Sequence, residues 1–384
     1  MPVNHSKYVN ILLVMVPIGI IAGACKWSPS AVFAVNFFAI IPLAAVLSFA
    51  TGQIAIKLDE SNGRLLNATF GNAVGLIVSI VALKENHIEL VQSIMLGSIL
   101  SKLLLVMGMC FFFGGIVNMR DGVTSQGREQ TFASATAQTT CSLMALWSAS
   151  LAITTTLYLV LDPAGSAQKE DIILVLSRGT AMTLLLLYII YLNFQLRTHP
   201  SLFDPETLNH DDEVEEPVIS LTVSIVVFTI TTVLVAICAK YLVRNIDPLI
   251  ESAYLSRNFI GLILIPIVCN AAEHITVVVM AIRDKMGVAM GVVIGSSIQI
   301  ALLVMPLLVI LGWAVLDKPM TLHFETFETV ALVVSVLVVT CTVQDGKSNY
   351  LEGAMLLGLY CIIALAFYVG PTDVLDKVPS AVLG

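Results

Sequence analysis

Charge is what this sequence has least of. Only 12% of its 384 residues are Asp, Glu, Lys or Arg, against about 25% in an ordinary soluble domain. A water-facing surface cannot be built from so few. The formal net charge of −8 offers no basic footprint, so nucleic acid is not an expected partner. Cysteine is sparse and unpatterned. Cys25, Cys110, Cys141, Cys238, Cys269, Cys341 and Cys361 are odd in number and contain no CxxC. Neither a disulfide framework nor a zinc site follows from them, and they read as small apolar residues within hydrophobic runs. No HExxH, GxSxG or P-loop pattern occurs, so hydrolysis inside a membrane is not supported.

What the chain does have is apolar runs. Hydrophobic residues make up 57% of it and mean hydropathy is +0.92. The runs are about 18–27 residues long, enough to cross roughly 30 Å of hydrocarbon at 1.5 Å per residue. Spans are expected near 8–25, 31–55, 64–83, 90–114, 139–161, 171–195, 218–243, 256–282, 287–313, 325–344 and 350–369. The first follows Lys7 and ends in "IAGACK", which has some look of a signal peptide. No soluble stretch follows it, and it is read as a first transmembrane helix. The expected fold class is therefore an all-α polytopic membrane protein of about eleven helices.

The chain repeats itself. Adding 198 carries Asn72-Ala73 onto Asn270-Ala271, Gly97-Ser98 onto Gly295-Ser296, and Leu104–Met107 onto Leu302–Met305. Five helices per unit is odd, so two such units must insert with opposite orientation. Residues 196–217, "RTHPSLFDPETLNHDDEVEEPV", separate them. The expected organisation is an N-terminal segment and leading helix (1–30), a first five-helix repeat (31–195), a linker (196–217), a second repeat (218–370) and a tail (371–384). Inverted repeats with polar, glycine-interrupted helices at matching positions point to a secondary transporter with its site near the midplane. Lys and Arg are nearly balanced between the two sides and do not decide orientation.

The second copy reads "VCNAAEHITVVVMAI" and places Glu273 and His274 inside a span. A carboxylate at helix centre costs about 2.5–3.5 kcal/mol on insertion scales. Asn270 stands three residues before Glu273 and shares its face. The next helix adds Ser296, Ser297 and Gln299. Amide, hydroxyl and carboxylate oxygens suit a hard cation such as calcium, and one intramembrane glutamate can bind cation and proton in turn. The serines and Gly97/Gly295 are equally readable as interhelical packing. His274 is open between proton handling and packing.

Several long stretches carry a family likeness: "LLNATFGNA", "GSILS…LLLVMGMCFFFGG", "LSRGT", "GLILIPIVCNAAEH", "RDKM…AMGVVIGSSIQIALLV", "LGW" and "DGKSNYLEG". Over about residues 35–370 the chain resembles the cation/proton exchanger family, most of all its fungal vacuolar calcium/proton exchangers. The resemblance implies two inverted five-helix repeats, an acidic segment between them, and cytosolic calcium (or manganese) driven into the vacuole by the proton gradient. It implies no resident cofactor, with the bilayer, calcium and protons as partners; the oligomeric state stays open. By position, Glu273 matches the metal and proton carboxylate, and Asn72, Asn270, Ser98, Ser296, Ser297 and Gln299 match its polar surround. The linker acids Asp204, Glu206, Asp211, Asp212, Glu213, Glu215 and Glu216 match the family's acidic surface helix, for cation capture or regulation. They read equally as a solvated connector.

Four positions depart from that pattern. Gly75 stands where the first repeat usually carries a glutamate, and Lys102 where it carries an asparagine. Ala50-Thr51-Gly52 replaces "ATE", and Lys240 replaces an acid. Lys102 lies four residues after Ser98 and shares its face. Two arrangements are open. The ammonium pairs with Glu273 and neutralises the site internally, or it points into a watery vestibule and leaves Glu273 free for a cation.

Overall fold

The computed structural model describes residues 12–58, 63, 65–66, 69–120, 127–161, 166–203, 218–253 and 255–369. Asn67, most of the linker with all of its acids, and the tail lie outside them. The described chain is almost wholly helical: α1 (Met15–Ala24), α2 (Pro29–Lys57), α3 (Ala73–Lys84), α4 (Ile88–Val117), α5 (Ser134–Val160), α6 (Ser166–Asn193), α7 (Leu221–Arg244), α8 (Ile246–Ala253), α9 (Arg257–Cys269), α10 (Ala271–Ile282), α11 (Met286–Leu316), α12 (Thr326–Thr342) and α13 (Tyr350–Val369).

Among the described residues, seven helices are long and apolar enough to cross a membrane, and an eighth span arises if α9 and α10, bent by 62°, count as one. Three shorter apolar helices, α1, α3 and α12, coincide with other expected runs. The leading run packs into the bundle. Asn36 of α2 donates to the Gly19 carbonyl at 3.2 Å, and Gly23 lies against the Tyr241 ring of α7.

Helix ends follow local chemistry. Pro29 opens α2 at its first turn. The Ser220 and Ser256 hydroxyls accept from Val223 and Phe259 amides at 3.4 and 3.1 Å, capping α7 and α9. Asn86 and Asp284 take left-handed backbone (φ 70° and 62°) in the turns leading to α4 and α11, a conformation Asn and Asp tolerate better than most residues. These two turns are 198 residues apart. So are Asn72 and Asn270, each preceding a twelve-residue helix with φ −106°. Inside α4 and α11, π-helical turns at Ser101–Val106 and Ile300–Val304 also fall at matching positions.

α4 and α11 form the centre, with 72% and 61% of their apolar windows buried against 22% for α7. α5, α6, α7, α12 and α13 turn apolar side chains outward, among them Ile153, Val175, Ile189, Leu337 and Ile362. With no hydrophobic drive between helices in lipid, close backbone approach does much of the packing. At Gly97 of α4 a Cβ would run into the Leu262 backbone of α9. On the corresponding stripe of α11, a Cβ at Gly287, Gly291 or Gly295 would meet nothing within 4 Å, and these glycines border a crevice of about 410 Å³ lined also by Thr136, Thr140 and Tyr191. The bundle is thus sealed along α4 and open along α11. A short antiparallel pair, β1 (Gln130–Thr131) with β2 (Lys347–Ser348), ties the chain before α5 to the chain before α13.

Candidate functional site

The two helix breaks meet across the middle of the bundle. Each asparagine stands where a helix is interrupted, so its side chain leaves its own element and reaches the opposite half. Asn72 Nδ2 donates to Gln299 Oε1 at 2.6 Å and to the Ser296 carbonyl at 3.3 Å on α11. Asn270 Nδ2 donates to Ser98 Oγ of α4 at 3.4 Å and to the Pro266 carbonyl at 2.8 Å. Glu273, one turn into α10, accepts from Ser296 Oγ through Oε1 at 2.7 Å.

Lys102 enters this array from the π-helical turn of α4. Its Nζ lies 2.7 Å from Glu273 Oε2 and 2.6 Å from Asn72 Oδ1. Its side chain is 1% exposed, while Glu273 is 22% exposed. In this structure the ammonium is enclosed and faces the carboxylate. π-Helical turns often mark functional positions because the extra residue re-aims neighbouring side chains. The proton inventory also fixes the direction of the chain. An ammonium only donates, so Asn72 must present its oxygen to Lys102 and its NH₂ to Gln299.

Asn72, Ser296, Gln299, Glu273 and Lys102 thus form one connected network, and the Asn270–Ser98 pair stands on the turns just before Glu273 and Lys102. Ser297 stands apart, since its hydroxyl donates to the Val293 carbonyl of its own helix at 2.8 Å. His274 is buried beside Glu273, takes no part in these bonds, and its Nε2 has no partner among the described residues. Gln299 Nε2 is likewise without a partner there. The Asn72–Gln299 link was not anticipated. Its available signal was spacing, because Ser296 and Gln299 are three apart on the face turned toward α3.

Net charge is the decisive property. Glu273 supplies −1 and Lys102 +1, and among the described residues no group of three or more His, Cys, Asp or Glu side chains could hold a metal. A calcium ion takes six to eight oxygens, several of them anionic. Here the carboxylate, the Asn72 oxygen and the Gln299 oxygen are already engaged within the protein.

The sodium/calcium exchanger protein family model matches residues 28–197 and 223–369. This chain belongs to that family. It is 47% identical over 367 residues to a vacuolar calcium ion transporter of Schizosaccharomyces pombe, covering 95% of this chain and 86% of that one. It is 39% identical over 382 residues to a Ca²⁺/H⁺ antiporter of Synechocystis, covering 96% and 99%. Among solved structures, the Ca²⁺/H⁺ antiporter protein YfkE superposes with a TM-score of 0.77 at 32% identity, covering 94% of this chain and 99% of that one. As an exchanger-family member the chain is a transport protein and not an enzyme.

Within this exchanger the remaining departures take clear places. Gly75 is half-buried, as Glu273 is, and a Cβ there would meet only the Met95 methyl at 3.9 Å. A Cβ is therefore sterically admissible at this position. Gly52 also faces open space. Thr51 bonds back to the Leu47 carbonyl at 2.9 Å, and Lys240 is exposed.

Proposed function

We propose that this chain is a vacuolar-membrane calcium (or manganese)/proton antiporter whose resting site is filled by its own lysine. Divalent cation from the cytosol is moved into the vacuole against the proton gradient by alternating access. Glu273 binds cation and proton in competition, and Asn270, Asn72, Ser98, Ser296 and Gln299 supply neutral oxygens. The relatives' names support calcium/proton exchange and the vacuolar membrane. The observation behind the reading is the Lys102–Glu273 contact of 2.7 Å, which supports an ammonium occupying the carboxylate at rest.

That seat sets the cost of calcium. An ammonium displaced to about 6 Å from a divalent ion, at an effective dielectric near 20, still opposes it by about 5 kcal/mol, or roughly four decades of affinity. The same contact favours a second reading, in which the pair never opens and the protein is a transport-silent exchanger homologue serving as a scaffold or regulator.

The architecture proposed with this function is eleven spans: seven long helices, the bent α9–α10 pair and the three shorter apolar helices. They are grouped as a leading segment (1–30), inverted repeats at 31–195 and 218–370, an acidic cytosolic linker at 196–217 and a tail at 371–384. The 198-residue correspondences of helix breaks, left-handed turns and π turns support the duplication. Five crossings separate the turn before α4 from the turn before α11, and that odd number supports opposite orientation. With the linker cytosolic, the turn before α4 faces the lumen. No resident cofactor is proposed.

The test is proton-gradient-driven uptake of radiolabelled calcium into vesicles. Uptake that Glu273→Gln abolishes is the antiporter's signature. Absence of uptake at every calcium concentration sinks antiport and leaves the silent homologue.

A further inference from the structure

The sealed end of the bundle contains a buried carboxyl that the cation site does not use. Glu328, in the first turn of α12, is 3% exposed, and its Oε1 accepts from Ser93 Oγ of α4 at 3.0 Å. Ser93 precedes Lys102 by nine residues, about 13 Å along the helix, so this carboxyl lies well away from Glu273.

Among the described residues its surroundings hold no counter-ion for it. Immediately before α12, Glu325 accepts from Asn258 of α9 at 2.8 Å. On α4, Glu89 is exposed and faces Arg257 of α9 at 3.6 Å. Arg257 is in turn held by Asp247 of α8 at 2.9 Å. In the loop before α12, His323 stacks on Tyr158 of α5 with ring centroids 3.9 Å apart, and Lys169 of α6 lies over the same Tyr158 ring at 3.8 Å. Among the described residues none of these cations forms an ion pair with Glu328. A carboxylate enclosed with the Ser93 hydroxyl, the Glu325 backbone amide and no cation is costly, and a proton relieves that cost.

The place matters as much as the charge. A Cβ on Gly261 of α9 would meet the Ser93 Cβ at 2.7 Å, and one on Gly97 would run into the Leu262 backbone. The α4–α9 seam is therefore tight at the level of the Ser93–Glu328 bond, and it is the seam that shuts this end. Gln92 of α4 pins the loop before α12 on top of it, donating to the Thr321 and His323 carbonyls at 2.9 Å each.

We propose that Glu328 is a second proton-binding site, neutral while α4, α9 and α12 are sealed and ionised when that seam opens. In the sealed state the carboxyl is COOH. On opening, its O–H bond breaks, the electron pair stays on the carboxylate, and the proton passes to the water admitted at that face. Binding a proton there closes the seam, and losing it favours opening. The inference does not depend on whether calcium moves through the Glu273 site, and its readouts are independent of transport.

The test uses the full-length protein in liposomes. Infrared spectra are recorded across a pH titration and followed at the C=O stretch of a protonated carboxylic acid. The expected result is a band that disappears as pH rises, is lost in Glu328→Gln and survives in Glu273→Gln. A wild-type protein without such a band, or a band that Glu328→Gln leaves in place, overturns the proposal. Hydrogen exchange of residues 88–97 and 257–264, corrected for intrinsic pH dependence, gives the seam itself. Exchange is expected to rise with pH in the wild type and to stay low in Glu328→Gln, whose neutral amide imitates the protonated state. An equal rise in both proteins overturns the coupling.

Discussion

Lys102 and Glu273 hold each other in a place where either alone would be expensive. Replacing one partner of a buried pair leaves an uncompensated charge and typically costs 3–5 kcal/mol, whereas replacing both is often close to neutral. Glu273 keeps some exposure (22%), so the lower end of that range applies to Lys102→Met. Glu273→Gln strands an ammonium that is 1% exposed and should cost more. The double variant Lys102→Met with Glu273→Gln should recover most of the loss, as read from thermal unfolding in detergent. A double variant no more stable than the worse single one contradicts the pair. The pair was legible in the sequence because Lys102 shares a helix face with Ser98 and Ser98 is the repeat partner of Ser296. The bond from Lys102 to Asn72 was not, since it depends on the π-helical turn that re-aims the lysine. Packing sets that turn, and no local residue pattern marks it.

At the scale of elements, the two glycine faces make opposite demands. Gly97 of α4 sits against α9 backbone, so Gly97→Ala should destabilise by about 1–3 kcal/mol through overpacking. Gly295→Ala on α11 meets open space and should be neutral or slightly stabilising, because alanine favours helix by about 0.5–1 kcal/mol. Equal effects at the two positions contradict the sealed and open ends. The loop joining α11 to α12 carries a pH dependence of its own. Burial, and then the nearby Lys169 ammonium, hold the His323 imidazole below its usual range. The folded loop therefore prefers neutral His323. Its contribution is complete above a free-imidazole pKa near 6.5 and is lost as pH falls through the depressed folded value. Thermal stability should decline on acidification below that point, and His323→Phe, which keeps a ring against Tyr158, should flatten part of the decline. Helix positions and the breaks at Asn72 and Asn270 could be read from run length and the 198-residue spacing. Burial of Glu328 could not. Three residues after Glu325 at the head of an apolar run, it reads as an ordinary first-turn acid, and only the approach of Ser93 from α4 encloses it.

For the whole molecule, the scaffold is that of a calcium/proton exchanger while the charge at its centre is that of a closed site. Family membership and midplane polarity follow from long sequence stretches. Whether the site admits a divalent ion turns on Gly75 and Lys102. If those two residues alone limit calcium, Gly75→Glu with Lys102→Asn supplies a carboxylate where a Cβ fits and removes the ammonium. Calcium should then stabilise the double variant against unfolding in proportion to ligand occupancy, and leave the wild type nearly unchanged at the same concentration.

The most direct measurement of the central claim is proton-gradient-driven uptake of radiolabelled calcium by vesicles carrying either the wild type or the Gly75→Glu, Lys102→Asn variant. The expected result is weak uptake in the wild type and a large gain in the variant, both abolished by adding Glu273→Gln. Equal uptake by wild type and variant, at calcium concentrations that saturate neither, would contradict the account of Lys102 as the cation that fills this site.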